Sequence, residues 1–197
     1  NSTLGITDID ARLILKAHAK EIRNYTYNPE TGATIPVGDD REGESLIVGV
    51  DPCKVLSAWF LDGKLLNEEH AFEAMIGDSL AQRMFSMPLM QSIRLFDNDF
   101  VVVGVCLDPI DNGNVTYVPL KTLQNVTGTS RPNVIMVKID PSANRAYVLH
   151  QLKAEIASID SEFDVFELNE VLDKNLGFLG YIWSTVMFLP LFSLTSA

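Results

Sequence analysis

Apolar residues run along this chain in short blocks, punctuated by Asp-Pro, Asp-Gly and Asn-rich turns. Ile9, Leu13, Ala17 and residues 19–22 form a rough stripe at helical spacing, which predicts a helix over residues 8–23. Thr7 would be its N-cap, and Asp8 and Asp10 would lie in the first turn, where the helix dipole favours carboxylates. Residues 28–45, NPETGATIPVGDDREGES, are crowded with turn formers and charge and read as a loop or loose hairpin. LIVGV at 46–50 has the pattern of a buried strand, stopped by Asp51-Pro52, a pair that suits the start of a helix. A short helix over 55–60 and a turn at Asp62-Gly63 are predicted next.

The second half of the chain repeats this rhythm. A strand is predicted over 71–76, followed by a helix that starts at Gly77-Asp78 and carries Leu80, Ala81, Met84 and Phe85. Two apolar runs, 92–96 and 100–107, flank Asp97-Asn98-Asp99 and read as a hairpin. The nearly continuous VVVGVC within the second run marks a central strand. Residues 108–114 form a loop, YVPL at 117–120 reads as a strand running into a helix over 121–126, and 134–139 is a strand ended by Asp140-Pro141. After Pro141, Leu149, Leu152, Ile156 and Ile159 define one face of a helix, and 164–168 reads as a last strand. IVGVDP and VKIDP echo each other as strand, Asp-Pro, helix. The fold class is α+β: mixed small sheets with packed helices, compatible with two lobes built from strand–helix–strand units.

Residues 175–197, NLGFLGYIWSTVMFLPLFSLTSA, carry no charged side chain. A membrane-spanning helix needs about 20 mostly apolar residues. Gly177, Gly180 and Pro190 are tolerated in such helices, and Tyr181 and Trp183 suit an interface. The tail therefore reads as the start of a membrane span, with a buried core helix over Leu176–Leu189 as the other reading, and the division expected is an exterior domain over 1–170 and a juxtamembrane and membrane segment over 171–197. The chain begins at Asn1 with no initiator Met and no basic-then-apolar leader, so a truncated or excised start is expected.

The 197 residues carry a net charge of −11, which argues against nucleic acid and against docking on anionic headgroups, since both need a basic face. Cys53 and Cys106 lack CxxC spacing; outside the cytoplasm they could pair as a disulfide, and the other reading is two buried thiols. Asn24, Asn114 and Asn125, like Asn1, each begin an N-x-Thr/Ser glycosylation pattern. His18, His70 and His150 are scattered, and there is no HExxH, GxSxG, GxxxxGK[ST] or GxGxxG. Asp39, Asp40, Glu42 and Glu44 in one loop, and Asp108, Asp111 and Asn112 in another, depart from the EF-hand pattern and read as solvated turns. No catalytic, cofactor or metal site is predicted.

The order of motifs is itself informative. VGVDP (48–52), LDGKLL (61–66), EAMIG (73–77) with SLA (79–81), FVVVGV (100–105), YVPL (117–120) with TLQ (122–124), and NVIMVKIDP (133–141) follow one another at a spacing that resembles the extracytoplasmic domain of MacB/FtsX-type ABC transporter permeases. The resemblance spans roughly residues 46–185. It implies a MacB-periplasmic-domain-like fold on the outer side of the cell membrane, with one membrane helix before the domain and three after it. It also implies a cytoplasmic ABC ATPase subunit as the energy source, a second permease copy, no catalytic residues and no cofactor. The two cysteines are not part of that pattern, and residues 24–45 hold no long strand-rich insertion. Motion would then pass from the helix after Pro141 through Phe163, Leu168, Glu170 and Lys174 to the tail. The alternative is a membrane-anchored ligand-binding module on the cell exterior.

Overall fold

A computed structural model describes residues 5–54, 59–67, 70–108, 110–159 and 165–166. Contacts divide the chain into two compact units, Ile6–Lys138 and a second one made of residues 1–5 and 139–197.

The larger unit is built mainly of strands. β1 (Ile6–Ile22) is followed by β2 (Asn24–Asn28), β3 (Ala33–Val37) and β4 (Glu42–Val50). A 3₁₀ turn (Pro52–Lys54), β5 (Trp59–Gly63), β6 (Glu73–Gly77) and α1 (Asp78–Met84) come next. β7 (Ser92–Leu95), β8 (Asn98–Leu107), a second 3₁₀ turn (Ile110–Gly113), β9 (Val115–Pro119), α2 (Leu120–Thr127) and β10 (Val134–Ile139) complete it. β2 and β3 form a separate hairpin, and the other strands share one mixed sheet.

That sheet closes on itself. β1 pairs with β4, β4 with β9 in parallel, β9 with β6, β6 with β8 in parallel, β8 with β7, and β7 returns to β1. β5 and β10 attach outside this ring, to β8 and β1. The β7–β8 connection is a two-residue turn, Phe96-Asp97, with both φ angles positive, the geometry that matches the twist of paired strands. Gly104 sits where β8 shifts register against β6, and a Cβ there would lie 2.4 Å from the Lys64 carbonyl oxygen.

Residues 8–23 are therefore strand, not helix. Leu13, Leu15, Ala17 and Ala19 project into one core while Lys16 and His18 face outward, a period of two. Ala, Leu, Lys and Glu favour helix in isolation, but pairing along both edges of β1 outweighs that preference. Thr7 caps nothing; its hydroxyl donates to the Lys138 carbonyl at 3.2 Å. Asp8 receives the Lys54 ammonium at 2.8 Å, which fastens the first 3₁₀ turn to β1. The helix expected over 55–60 is likewise corrected, because 59–63 is strand, Asp62-Gly63 included; residues 55–58 lie outside the described residues.

β1, β4, β6, β8 and β9 each serve two apolar clusters. Ile47, Ala74, Ile76, Phe100, Val102 and Val118 line one, with Leu80 and Met84 of α1 and Leu123 of α2. Val48, Val50, Met75, Val103, Cys106 and Tyr117 line the other. Glu21, 1% exposed near the end of β1, accepts hydrogen bonds from the Asp39 and Arg41 backbone amides at 2.8 and 3.4 Å and so fixes the segment leading into β4.

Among the described residues of the second unit, Asp140 accepts from the Ser142 amide and hydroxyl, and its amide donates to the Gly5 carbonyl at 2.8 Å. α3 (Arg145–Ile159) begins after Asn144, whose Oδ1 accepts the Tyr147 amide as an N-cap. Val148 is buried, and Leu149, Leu152 and Ile156 are half-buried. The strand expected over 164–168 lies mostly outside the described residues, and residues 165–166 are irregular.

Glu21→Ala would strand two amides and remove a buried carboxylate, a cost of roughly 2–4 kcal/mol. A urea midpoint lowered accordingly is the expected outcome, and a change below about 0.5 kcal/mol, typical of surface sites, would contradict the clamp.

Candidate functional site

The acidic residues singled out in the sequence each have a side-chain partner. Asp39 pairs with Arg41 at 2.5 Å, Asp40 with Arg23 at 3.4 Å, Glu42 with His18 at 3.4 Å and Glu44 with Lys16 at 2.6 Å. The pairing holds the Glu44 carboxyl below, and the Lys16 ammonium above, their ordinary ranges. These exposed pairs do not converge on a point. Asp108 is buried and accepts the Tyr117 hydroxyl, whereas Asp111 accepts from Asn114 at 3.2 Å on the surface. Among the described residues no group of three or more His, Cys, Asp or Glu could hold a metal ion. His70 and His150 are exposed and far apart in sequence.

The glycosylation patterns fall in three settings. Asn24 is half-buried and donates to the Gln91 side chain at 3.3 Å. Asn114 accepts from Arg83 at 2.7 Å, and Thr116 of the same pattern is fully buried. Asn125 is exposed on α2. Cys106 is a free, buried thiol that donates to the Ile76 carbonyl at 3.6 Å; the side chain of Cys53 lies outside the described residues. Phe163, Leu168, Glu170 and Lys174 also lie outside the described residues, as does the apolar tail.

The structure brings together a set that sequence reasoning missed. On the β1–β4–β9–β6–β8 face lined by Val48 and Met75, buried charges lie among apolar side chains. Arg12, 4% exposed, donates to Asp10 Oδ2 at 2.8 Å, while Asp10 Oδ1 accepts nothing. Tyr117 bonds Asp108 on the same face. Glu73 is 8% exposed; its Oε1 holds the Lys64 ammonium at 2.5 Å, and its buried Oε2 accepts nothing. The sequence signal was charge inside apolar alternation: Asp10-Ala-Arg12, Lys20-Glu21-Ile22 and Phe72-Glu73-Ala74.

Cys106 and Tyr117 on this face are held protonated at neutral pH. Burial, then the nearby Asp108 carboxylate, pushes the Cys106 thiol up to about 12, so it is held protonated. Burial and the hydrogen bond to Asp108 push the Tyr117 phenol well above its ordinary value.

A profile of the family described as MacB-like periplasmic core domain matches residues 1–155. The chain belongs to this family. The fold of the MacB-like periplasmic core domain is seen in solved structures. The periplasmic region of MacB from Actinobacillus actinomycetemcomitans is similar with a TM-score of 0.58 and 20% identity, covering 78% of this chain and 67% of that one. The extracellular domain of the ABC-type transporter YknZ from Gram-positive bacteria gives 0.55 and 16%, covering 79% and 81%. At these identities the likeness is one of fold. No curated protein sequence matches the chain. The α+β class and the resemblance drawn from motif order both hold: this is an extracytoplasmic domain of a MacB-like ABC transporter permease. No helix among the described residues is long and apolar enough to cross a membrane.

Because the Cys106 thiol is raised in the folded state, its stabilising effect is complete below about pH 9 and is lost as pH rises from 9 towards 12. Relative to Cys106→Ala, the wild-type chain is expected to lose stability by up to about 1.4 kcal/mol per pH unit in that window. Parallel pH profiles for the two proteins would contradict the assignment.

Proposed function

We propose that this domain passes conformational change between the membrane helices of its permease and cargo or partners outside the membrane. The observation that carries the reading is the adjacency of the incoming and outgoing strands. β1 and β10 are neighbours in the sheet. Asn133 clasps the Ile14 backbone twice, donating to its carbonyl at 2.7 Å and accepting its amide at 2.8 Å. A relative movement of the segments leading to β1 and away from β10 would act on one edge of a closed sheet. A packed, hydrogen-bonded body can carry such a displacement, whereas a loose linker dissipates it.

The working assembly in this reading has a cytoplasmic ABC ATPase subunit and a second permease copy. Residues 1–170 stand outside the membrane, and 171–197 lead into it. Motion passes along α3 and through Phe163, Leu168, Glu170 and Lys174. The family match and the absence of a phosphate-binding GxxxxGK[ST] from the sequence support an external energy source.

The test is to insert a flexible Gly-Ser segment beside Glu170 in the full permease assembled with its ATPase. ATP hydrolysis should continue while export falls by about tenfold or more, a coupling loss of at least ~1.4 kcal/mol. Export that stays proportional to hydrolysis would contradict the relay.

A further inference from the structure

The β2–β3 hairpin lies outside the ring of strands and forms a two-stranded sheet of its own. Two strands alone are marginal in water; a further strand or an apolar partner makes such an element stable. Tyr25, Thr26 and Tyr27 of β2 and residues 33–36 of β3 are exposed. Tyr25 is 69% and Tyr27 65% exposed, and the two share one face of the hairpin, opposite Pro36 and Thr34.

The two edges of the hairpin differ. Pro36 has no N–H, so the mutual ladder bonds fall at Asn24↔Val37, Thr26↔Ile35 and Asn28↔Ala33 rather than at Tyr25↔Pro36. The backbone amides and carbonyls of Tyr25 and Tyr27 therefore point away from β3. Among the described residues no strand but β3 pairs with β2, so these groups form an open edge. On the outer edge of β3, Pro36 takes the place of a donor, which blunts that edge against further pairing. β2 has no such protection: neither Lys, Pro nor a bulge interrupts NYTYN.

The sequence of the open edge indicates what covers it. Asn24-Tyr25-Thr26-Tyr27-Asn28 reads the same in both directions. Two such strands laid antiparallel about Thr26 set Tyr25 against Tyr27, Thr26 against Thr26 and Asn24 against Asn28. Aromatic pairs and Thr–Thr pairs are among the favourable cross-strand neighbours. The outward amide and carbonyl of Tyr25 meet those of Tyr27 in the other strand, as a mutual ladder pair requires. This self-complementarity is what a two-fold contact between identical chains needs. Charge permits the contact too. The chain carries −11 overall, yet Glu30 is the only charged residue over 24–37, and antiparallel pairing sends the two Glu30 tips in opposite directions.

We propose that β2 pairs with β2 of a second copy of this chain, joining the two hairpins into one sheet with a two-fold axis at Thr26. The inference rests on the second permease copy of the assembly above and supplies a contact for it. Five-residue strands bury less than the roughly 1,000 Å² of a stable independent interface, so the pairing forms where membrane helices already hold two copies together.

The test uses the full permease assembled with its ATPase in lipid nanodiscs, with one introduced cysteine, oxidised by copper phenanthroline. Facing residues of a non-hydrogen-bonded antiparallel pair lie about 4.5 Å apart between Cα atoms, within the span of a disulfide. Thr26→Cys is therefore expected to give a disulfide-linked dimer at least about tenfold faster than Thr34→Cys, an exposed position on the blunted edge of the same hairpin. Adding Tyr27→Asp to Thr26→Cys should slow the link by about tenfold, because it breaks the tyrosine pairs and puts a carboxylate on each strand. Mass photometry of the same particles counts the permease copies. Two copies without a preferred Thr26→Cys link would overturn the hairpin contact and leave the second copy standing, whereas one copy per particle would overturn both. Equal rates for Thr26→Cys and Thr34→Cys, or a rate unchanged by Tyr27→Asp, would also overturn the proposal.

Discussion

The pairing of β7 with β1 on one edge and β8 on the other is the constraint on which the larger unit depends. β7 is only four residues long, yet it turns an open mixed sheet into a ring. The pairing extends past the strand: Met90 donates to the Val102 carbonyl at 2.7 Å, and Val102 donates to the Gln91 carbonyl at 2.8 Å. Closure removes two edges that would otherwise present free amides and carbonyls. It also explains why β1 must be so long. Its first part carries β10, its last part carries β7, and its opposite edge carries β4.

Within the ring, β1, β4, β6, β8 and β9 each satisfy two environments. Residues of one parity enter the core shared with α1 and α2, and the others build a second apolar face. The second face tolerates charge only where geometry compensates it. Arg12 with Asp10, a pair within β1, and Tyr117 with Asp108, which ties β9 to the residue after β8, are examples. Glu73 is compensated on one oxygen only.

What the sequence made legible followed from strong local signals. LIVGV, VVVGVC and the Asp97-Asn98-Asp99 turn placed β4, β8 and the β7–β8 hairpin, and Gly77-Asp78 placed α1. β1 misled because its alternation is carried by Ala and Lys, residues with helical preference, and because its partners lie distant in sequence. The hairpin of β2 and β3 was only partly visible, since its first strand begins before the turn-rich stretch. The buried charges left only a weak trace, charge inside apolar alternation as at Lys20-Glu21-Ile22, and their partners left none: nothing in a single carboxylate reveals whether amides such as those of Asp39 and Arg41 converge on it. Motif order succeeded where single motifs were weak, because order reflects the whole topology rather than one turn.

The central claim is that the ring of strands behaves as one mechanical body with β7 as its closing element. Native-state hydrogen exchange of the full chain tests this most directly. The hydrogen-bonded amides of residues 92–95 should open together with those of β4 and β9, at the same free energy and with the same denaturant dependence. Exchange in β7 faster by about a hundredfold or more, roughly 2.7 kcal/mol of separate local opening, would show that the ring is not closed in any mechanical sense and would contradict the account.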